Sequence, residues 1–480
     1  MLVHSLLALA LSAAQAPAAQ PPAAPPPPAQ PPAAAQPAPQ QPAPPQLPPI
    51  TPAARKLTLD EALQLADTRN YDLKAAFARL KQAEQGYWKA WSGYLPQLTA
   101  SGSYTHYRKD VEVFFPNGIT NPTTPLNAGG ATVTEQQQLT FFPLPVIKQN
   151  QWQGAIDLQQ TLFAPSLWYA IQGASQGEEA SRQGTENARR QILFGTAQAY
   201  YAVVSLREAE QISERLLEIA QRAEKDARVR YQAGTIAKVG LIRAEIDRAR
   251  AEQDVLRSRN AYYSARLSLA QVIDSSPDFD VVTPEEPKLP TTELPKLEEA
   301  ALRDRSDVKS FRSSLDAARS AHTGVVASYF PTLVALGHYQ KANFASFTPA
   351  EFWTLGLSLQ WKLYDGGLRE ANLRESNAKV AESEANLASV ETQARKEVGQ
   401  ALLDLESARA NALKAKEQRD LAAENQRLVD VSYRAGAATA VEQADATAQL
   451  RNAEIVQVTE GFNAQVAALR VLQTSGATLR

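Results

Sequence analysis

The chain has 480 residues, long enough for two or three globular domains or for one fold built on an internal duplication. Its 49 Lys and Arg against 51 Asp and Glu leave no basic excess for an extended nucleic-acid surface, which argues against DNA or RNA as partners. The absence of Cys removes disulfides, thiolate metal sites and cysteine nucleophiles together, and four His with one Met leave little for a metal centre.

Residues 1–16 read as a secretory signal peptide: an apolar run from Leu6 to Ala13 ends in small residues. Cleavage after Ala14 is preferred over Ala16, because Pro17 would follow the second site. Residues 17–52 are nearly all Pro, Ala and Gln, a composition that cannot bury a core and predicts a disordered tether. No other segment approaches the ~20 consecutive apolar residues of a membrane helix, so any membrane insertion has to be by β-strands.

The rest of the chain is duplicated. Leu95-Pro96-Gln97-Leu98 recurs as Phe330-Pro331-Thr332-Leu333, and Trp152, Leu158 and Leu162-Phe163 recur as Trp353, Leu359 and Leu363-Tyr364. Val229-Arg230-Tyr231-Gln232-Ala233-Gly234 recurs as Val431-Ser432-Tyr433-Arg434-Ala435-Gly436. The expected units are a first repeat over 53–275 with a β-hairpin at 98–163, a linker over 276–295, and a second repeat over 296–480 with a β-hairpin at 332–364. The offset between copies falls from 235 residues at the Leu-Pro landmark to 201 at the Trp landmark, which locates an insertion in the first half. Lying within Tyr107 to Asn150 and rich in Pro, Asn, Thr and Gly, it reads as a long loop.

Each half has the same order of elements. Thr58-Leu59-Asp60-Glu61 is a capping-box sequence that opens a helix, expected to break near Asn70 and resume to Tyr94, where Pro96 ends it. Leu98 to His106 then alternates apolar and polar, as do Trp152 to Phe163, Thr332 to Gln340 and Trp353 to Tyr364. Strands of this length with one apolar and one polar face suit a membrane β-sheet, lipid on one side and water on the other. Ser166 to Arg230 and Leu368 to Ser432 contain no Pro and predict helices about 95 Å long at ~1.5 Å per residue. Both carry heptads rich in Ala, for example Ala199, Ala202, Leu206 and Ala209, and Ala394, Val398, Ala401 and Leu405, so neighbouring helices can approach closely. Each long helix turns at Tyr-x-Ala-Gly, the Gly suited to a left-handed cap, and a shorter helix returns. The six Trp cluster near the strands, and Trp152, Trp168, Trp353 and Trp361 are candidates for an aromatic girdle at the membrane interface.

Leu57-Thr58-Leu59-Asp60-Glu61-Ala62-Leu63, Leu95-Pro96-Gln97-Leu98, Leu363-Tyr364-Asp365-Gly366-Gly367 and the two Tyr-x-Ala-Gly turns, in this order and duplicated, resemble the TolC family of outer-membrane efflux proteins. The resemblance covers nearly all of the chain after the tether. It implies an α+β membrane protein: a trimeric twelve-stranded β-barrel, four strands per protomer, continued by a long periplasmic α-helical barrel. Part of this follows from the strands alone, since about eight is the smallest known barrel and four strands cannot close without further copies. The number three comes from the family.

The implied function is a passive outer-membrane exit channel of a tripartite efflux system, in the outer membrane of a Gram-negative bacterium with a large periplasmic part. A homotrimer would work with a periplasmic adaptor protein, an inner-membrane pump and outer-membrane lipid. A type I protein secretion outlet and a non-conducting periplasmic coiled coil are the alternatives. Neither catalysis nor a cofactor is expected: His4, His106, His322 and His338 form no ligand-like pair, and Asp365-Gly366-Gly367 reads as a strand-to-helix turn rather than a phosphate loop. By family position, Glu442 and Asp445, three apart on one helix face, are the candidate gate and selectivity residues. Tyr231, Gly234, Tyr433 and Gly436 resemble the family's adaptor contact points.

Overall fold

The computed structural model describes residues 55–120, 138–289, 293–343 and 349–477; the expected signal peptide and tether lie outside the described residues. Thr58 caps the first helix as its sequence predicts: its hydroxyl accepts from the Glu61 amide, and the Glu61 carboxylate reaches back to the Thr58 amide. Ahead of that cap lies the short strand β1 (Arg55–Leu57), and behind it run α1 (Leu59–Arg69) and α2 (Tyr71–Trp91). The break at Asn70 is a second cap, its side chain accepting from the amides of Asp72 and Leu73. Helix α2 stops at Trp91, short of Tyr94, and the chain turns through Ser92 to Leu95 ahead of Pro96.

Strand β2 (Gln97–His106) begins a four-stranded antiparallel sheet completed by β5 (Asn150–Phe163), β7 (Thr332–Ala342) and β8 (Glu351–Gln360), in the order β2-β5-β7-β8. The insertion expected to be a loop is structured instead: β3 (Val111–Thr120) and β4 (Gln138–Ile147) form an antiparallel ribbon of their own. Its prolines suggested a loop, but a two-stranded ribbon tolerates Pro, because each strand has an outer edge where a missing N–H breaks no ladder. Strand β8 also ends earlier than its alternation suggests. The Trp361 indole donates to the Tyr329 carbonyl at 3.0 Å, and Gly366 and Gly367, with φ of 73° and 87°, turn the chain into the next helix.

The long helices are α3 (Pro165–Gln232) and α7 (Leu368–Arg434), of 68 and 67 residues, each spanning about 100 Å at ~1.5 Å per residue. They return as α4 (Lys238–Val272) and α8 (Ala440–Thr474), both of 35 residues. The stretch expected to be a linker contains β6 (Phe279–Val281), which pairs in parallel with β1. After it come α5 (Leu294–Asp304) and α6 (Ser306–Ala327).

The core lies at the level of β1 and β6. Tyr200 is fully buried there, its phenol reaching the carbonyls of Leu57 (2.8 Å) and Val282 (2.7 Å), among Leu269, Ile273, Phe279 and Val281. Burial pushes that phenol up to about 12, which keeps it a neutral donor. A second cluster joins Leu297 and Ala301 of α5 to Val398, Ala401 and Leu405 of α7 and Ala468 and Val471 of α8. In α7 the buried stripe coincides with the heptad seam read from the sequence. In α3 the deepest positions are Thr196, Ala197, Tyr200, Tyr201 and Val203, beside the expected seam. That helix packs on α1, α2, α4, α6 and α8, so more than one of its faces is covered.

Candidate functional site

Strand register decides which side chains share a face. Leu98 sits opposite Leu158, Ala100 opposite Ile156 and Tyr104 opposite Trp152; farther across, Leu333 meets Leu359, Ala335 meets Leu357, Gly337 meets Leu355 and Tyr339 meets Trp353. One face is therefore apolar across all four strands, and among the described residues nothing covers it: Leu355, Leu357 and Leu359 are 74%, 70% and 67% exposed. An apolar patch of that extent is unfavourable in water and suits a hydrocarbon solvent. The opposite face carries Thr99, Ser101, Ser103, Asp157, His338, Thr354 and Ser358, with His338 Nδ1 2.7 Å from the Asp157 carboxylate. At about 3.3 Å per residue the ten-residue strands β2 and β8 reach about 33 Å, enough to cross a hydrocarbon layer when tilted.

The four candidate girdle tryptophans are exposed and divide between the two ends of this sheet. Trp152 and Trp353 lie toward the β2–β5 and β7–β8 turns, beside Tyr104 and Tyr339. Near the helices, Trp168 packs edge-on against Phe163 with ring centres 5.5 Å apart, and Trp361 holds the Tyr329 carbonyl. The sheet has two open edges: among the described residues no strand pairs with the outer side of β2 or of β8.

At the far ends of the long helices the two turns are near copies. Gly234 (φ 73°) and Gly436 (φ 77°) take the left-handed conformation that L side chains resist. The following amides close back onto the helix, Thr235 to the Arg230 carbonyl and Ala437 to the Ser432 carbonyl, both at 2.9 Å. Tyr231 is exposed and Tyr433 half-buried, because the Arg230 guanidinium lies 5.4 Å over the Tyr433 ring and ties one tip to the other. Ion pairs continue the tie upward: Arg451 of α8 meets Asp254 of α4 at 2.9 Å, and Arg215 of α3 meets Glu454 of α8 at 3.9 Å.

Glu442 and Asp445 are both exposed on the first turns of α8. Glu442 also supports the helix itself, since its carboxylate accepts from the Thr439 amide (2.7 Å) and hydroxyl (2.9 Å) and completes a capping box. Those hydrogen bonds hold its carboxyl below the usual glutamate range. Thr439-x-x-Glu442 has the same spacing as Thr58-x-x-Glu61, so the capping role is readable in the sequence, although position in the family points first to a gate. Among the described residues, Asp445 accepts a hydrogen bond from Gln449 at 2.8 Å and no other.

A polar cavity of about 420 Å³ lies where α3, α6, α7 and α8 meet, lined by Arg190, Arg305, Asp307, Glu397 and Arg470 among others. Its charges serve the fold: Arg305 pairs with Asp307 and Glu397, each at 2.7 Å, and Arg190 donates to the Gly476 carbonyl at 2.8 Å. Among the described residues no group of three His, Cys, Asp or Glu is placed to hold a metal ion, and no helix is long and apolar enough to cross a membrane.

The family model described as outer membrane efflux protein matches residues 62–274 and 297–477. Protein CyaE of Bordetella pertussis is 25% identical over 373 residues, covering 76% of this chain and 72% of that protein. Among solved structures, the CmeC outer membrane channel of Campylobacter jejuni is 17% identical with a TM-score of 0.68, covering 87% of this chain and 85% of CmeC. The outer membrane protein VceC of Vibrio cholerae is 18% identical with a TM-score of 0.67, covering 88% and 97%.

Proposed function

The chain belongs to the outer membrane efflux protein family and is an outer-membrane channel with a large periplasmic part, and on that premise we propose that three copies share one barrel and pass small molecules outward for a periplasmic adaptor and an inner-membrane pump. The observation that carries this reading is the four-stranded sheet with an unpartnered apolar face, a polar face and two open edges. Pairing β8 of one copy with β2 of the next satisfies both edges, and three copies give twelve strands with a polar lumen. Trp152 and Trp353 then lie at the outer interface, and Trp168 and Trp361 at the inner one.

The helix hairpins continue the polar conduit into the periplasm. Their tips, Tyr231 to Gly234 and Tyr433 to Gly436, are the adaptor contacts, because they lie at the ends of the long helices away from the membrane sheet. Glu442 and Asp445 of each copy face the narrow end and favour cations there. Conduction needs no covalent step, so the polar surfaces and the closing contacts are the whole device.

The test is single-channel recording of the detergent-extracted oligomer in planar bilayers. Cation-selective openings in the wild type that lose selectivity in Asp445→Asn and Glu442→Gln are expected. Glutamine is chosen at 442 because its amide oxygen can still accept from Thr439. Conductance without any change in selectivity would keep the channel and discard the gate, and a well-folded oligomer with no conductance would overturn the conduit.

A further inference from the structure

The β3–β4 ribbon is not needed to close a barrel, and it carries large apolar side chains on both faces. On one face Val113 meets Leu144 and Phe115 meets Phe142, the two rings 6.2 Å apart. On the other, Phe114 meets Pro143 and Pro116 meets Phe141, leaving Phe114 62% and Phe141 55% exposed. An isolated two-stranded ribbon is marginal in water even with one polar face. This one therefore requires a cover on each side. Strand addition does not supply it, because Pro116, Pro143 and Pro145 have no N–H to offer another chain.

Position identifies the cover. The Tyr107 amide donates to the Gln149 carbonyl at 2.7 Å, and the Gln149 amide to the Asp110 carboxylate, so the ribbon grows directly from the β2–β5 hairpin at the end away from the helices. Strand β2 is an open edge of the sheet, hence the seam at which the next copy joins. The ribbon thus continues the interface that closes the barrel. Twelve strands spaced ~4.8 Å and tilted ~40° give a barrel radius of roughly 12 Å. Ribbon strands of ten residues reach about 34 Å, so ribbons starting at the rim can meet over the axis.

We propose that the β3–β4 ribbons of neighbouring copies pack face to face above the outer mouth of the channel, with Phe114, Phe115, Phe141 and Phe142 forming an apolar cluster between subunits. A ribbon in a closed ring has a neighbour on each side, which matches two apolar faces; a ribbon lying on a lipid surface would need one. The proposal rests on the three-copy assembly proposed above.

The chain has no Cys, so Phe114→Cys/Phe115→Cys places one thiol on each face of the ribbon in a clean background. Treated with a short bismaleimide in the bilayer, the variant is expected to run on denaturing gels mostly as covalent dimers and trimers. Because losing two rings can loosen the cluster, Glu112→Cys, which keeps all four, is cross-linked in parallel; with a single thiol per chain it is expected to run as covalent dimers. Monomers from both variants in samples that migrate as intact oligomers on native gels would overturn the inference and leave the channel reading standing. Quenching of ribbon-attached fluorophores by brominated lipid would overturn it in favour of a lipid surface. Samples that are monomeric on the native gel would instead remove the assembly on which it stands.

Discussion

Helices α3 and α7 hold matching places in the two halves and differ by one residue in length, yet they are buried differently. Helix α3 buries Thr196, Ala197, Tyr200, Tyr201, Val203 and Val204 inside its own chain. Helix α7 buries the single stripe Ala394, Val398, Ala401 and Leu405, while Leu403, Leu413, Leu421 and Leu428 remain 62%, 67%, 66% and 52% exposed on its other side. At 100° per residue Leu403, Leu421 and Leu428 fall opposite the buried stripe and Leu413 flanks them. A duplicated sequence has thus diverged into one strut that is covered on several sides by its own chain and another that keeps a second row of leucines exposed.

The sharpest way to break this contrast is to cut into each strut. Tyr200→Ala removes a fully buried ring and its bonds to the Leu57 and Val282 carbonyls, and is expected to cost about 3–5 kcal/mol of folding stability. Leu421→Ala, on the exposed face of α7, is expected to stay within about 0.5 kcal/mol for the single chain while lowering the detergent concentration at which the oligomer dissociates. Thermal unfolding followed by far-ultraviolet circular dichroism reads the first effect, and native mass measurement the second. Equal losses of single-chain stability would mean that the two helices are not specialised.

A somewhat smaller effect belongs to Arg305, which ties the α5–α6 joint to α7 through Asp307 and Glu397. Arg305→Gln leaves two half-buried carboxylates without their cation and is expected to cost about 3 kcal/mol. The pH dependence has a definite sign. Burial works to raise the Asp307 carboxyl, but the Arg305 hydrogen bonds and charge outweigh it and hold it below the usual aspartate range. The contribution is therefore complete above about pH 4 and fades as pH falls through the lower folded value. A wild-type unfolding curve whose acid limb matched that of Arg305→Gln would deny the pair its role.

Much of this arrangement is legible in the chain. Alternation from Trp353 to Leu359 assigns both faces of β8, and the Ala heptad from Ala394 to Leu405 marks the stripe that α7 buries. The corresponding stripe on α3 escapes a hydrophobic count because its deepest residues are Thr196, Tyr200 and Tyr201, whose polar atoms are satisfied inside the fold. Pairing of β1 with β6 is invisible in the sequence, since strands of three residues carry no period and the partners lie more than 200 residues apart. The β3–β4 ribbon is hidden by its own prolines. At the tips, the Gly turns and the acidic pair can be read, whereas the engagement of Glu442 by Thr439 needs the capping rule to be applied a second time.

The smallest expected effect separates capping from gating. Helix α8 begins with the Thr439 and Glu442 capping box, while its counterpart α4 begins at Ala237 with no side-chain cap. Thr439→Ala is expected to weaken the first turn of α8 by about 1 kcal/mol, and Ala237→Ser to strengthen that of α4 by a similar or smaller amount. At about 1.4 kcal/mol per tenfold, amides 441–443 should exchange roughly fivefold faster in Thr439→Ala with the global unfolding temperature unchanged. Channel recordings of the same variant then carry the argument. Thr439→Ala removes no charge, so cation selectivity kept there and lost in Asp445→Asn assigns selectivity to the carboxylates. Equal loss in both would mean that the fold of the tip, not its charge, sets what passes.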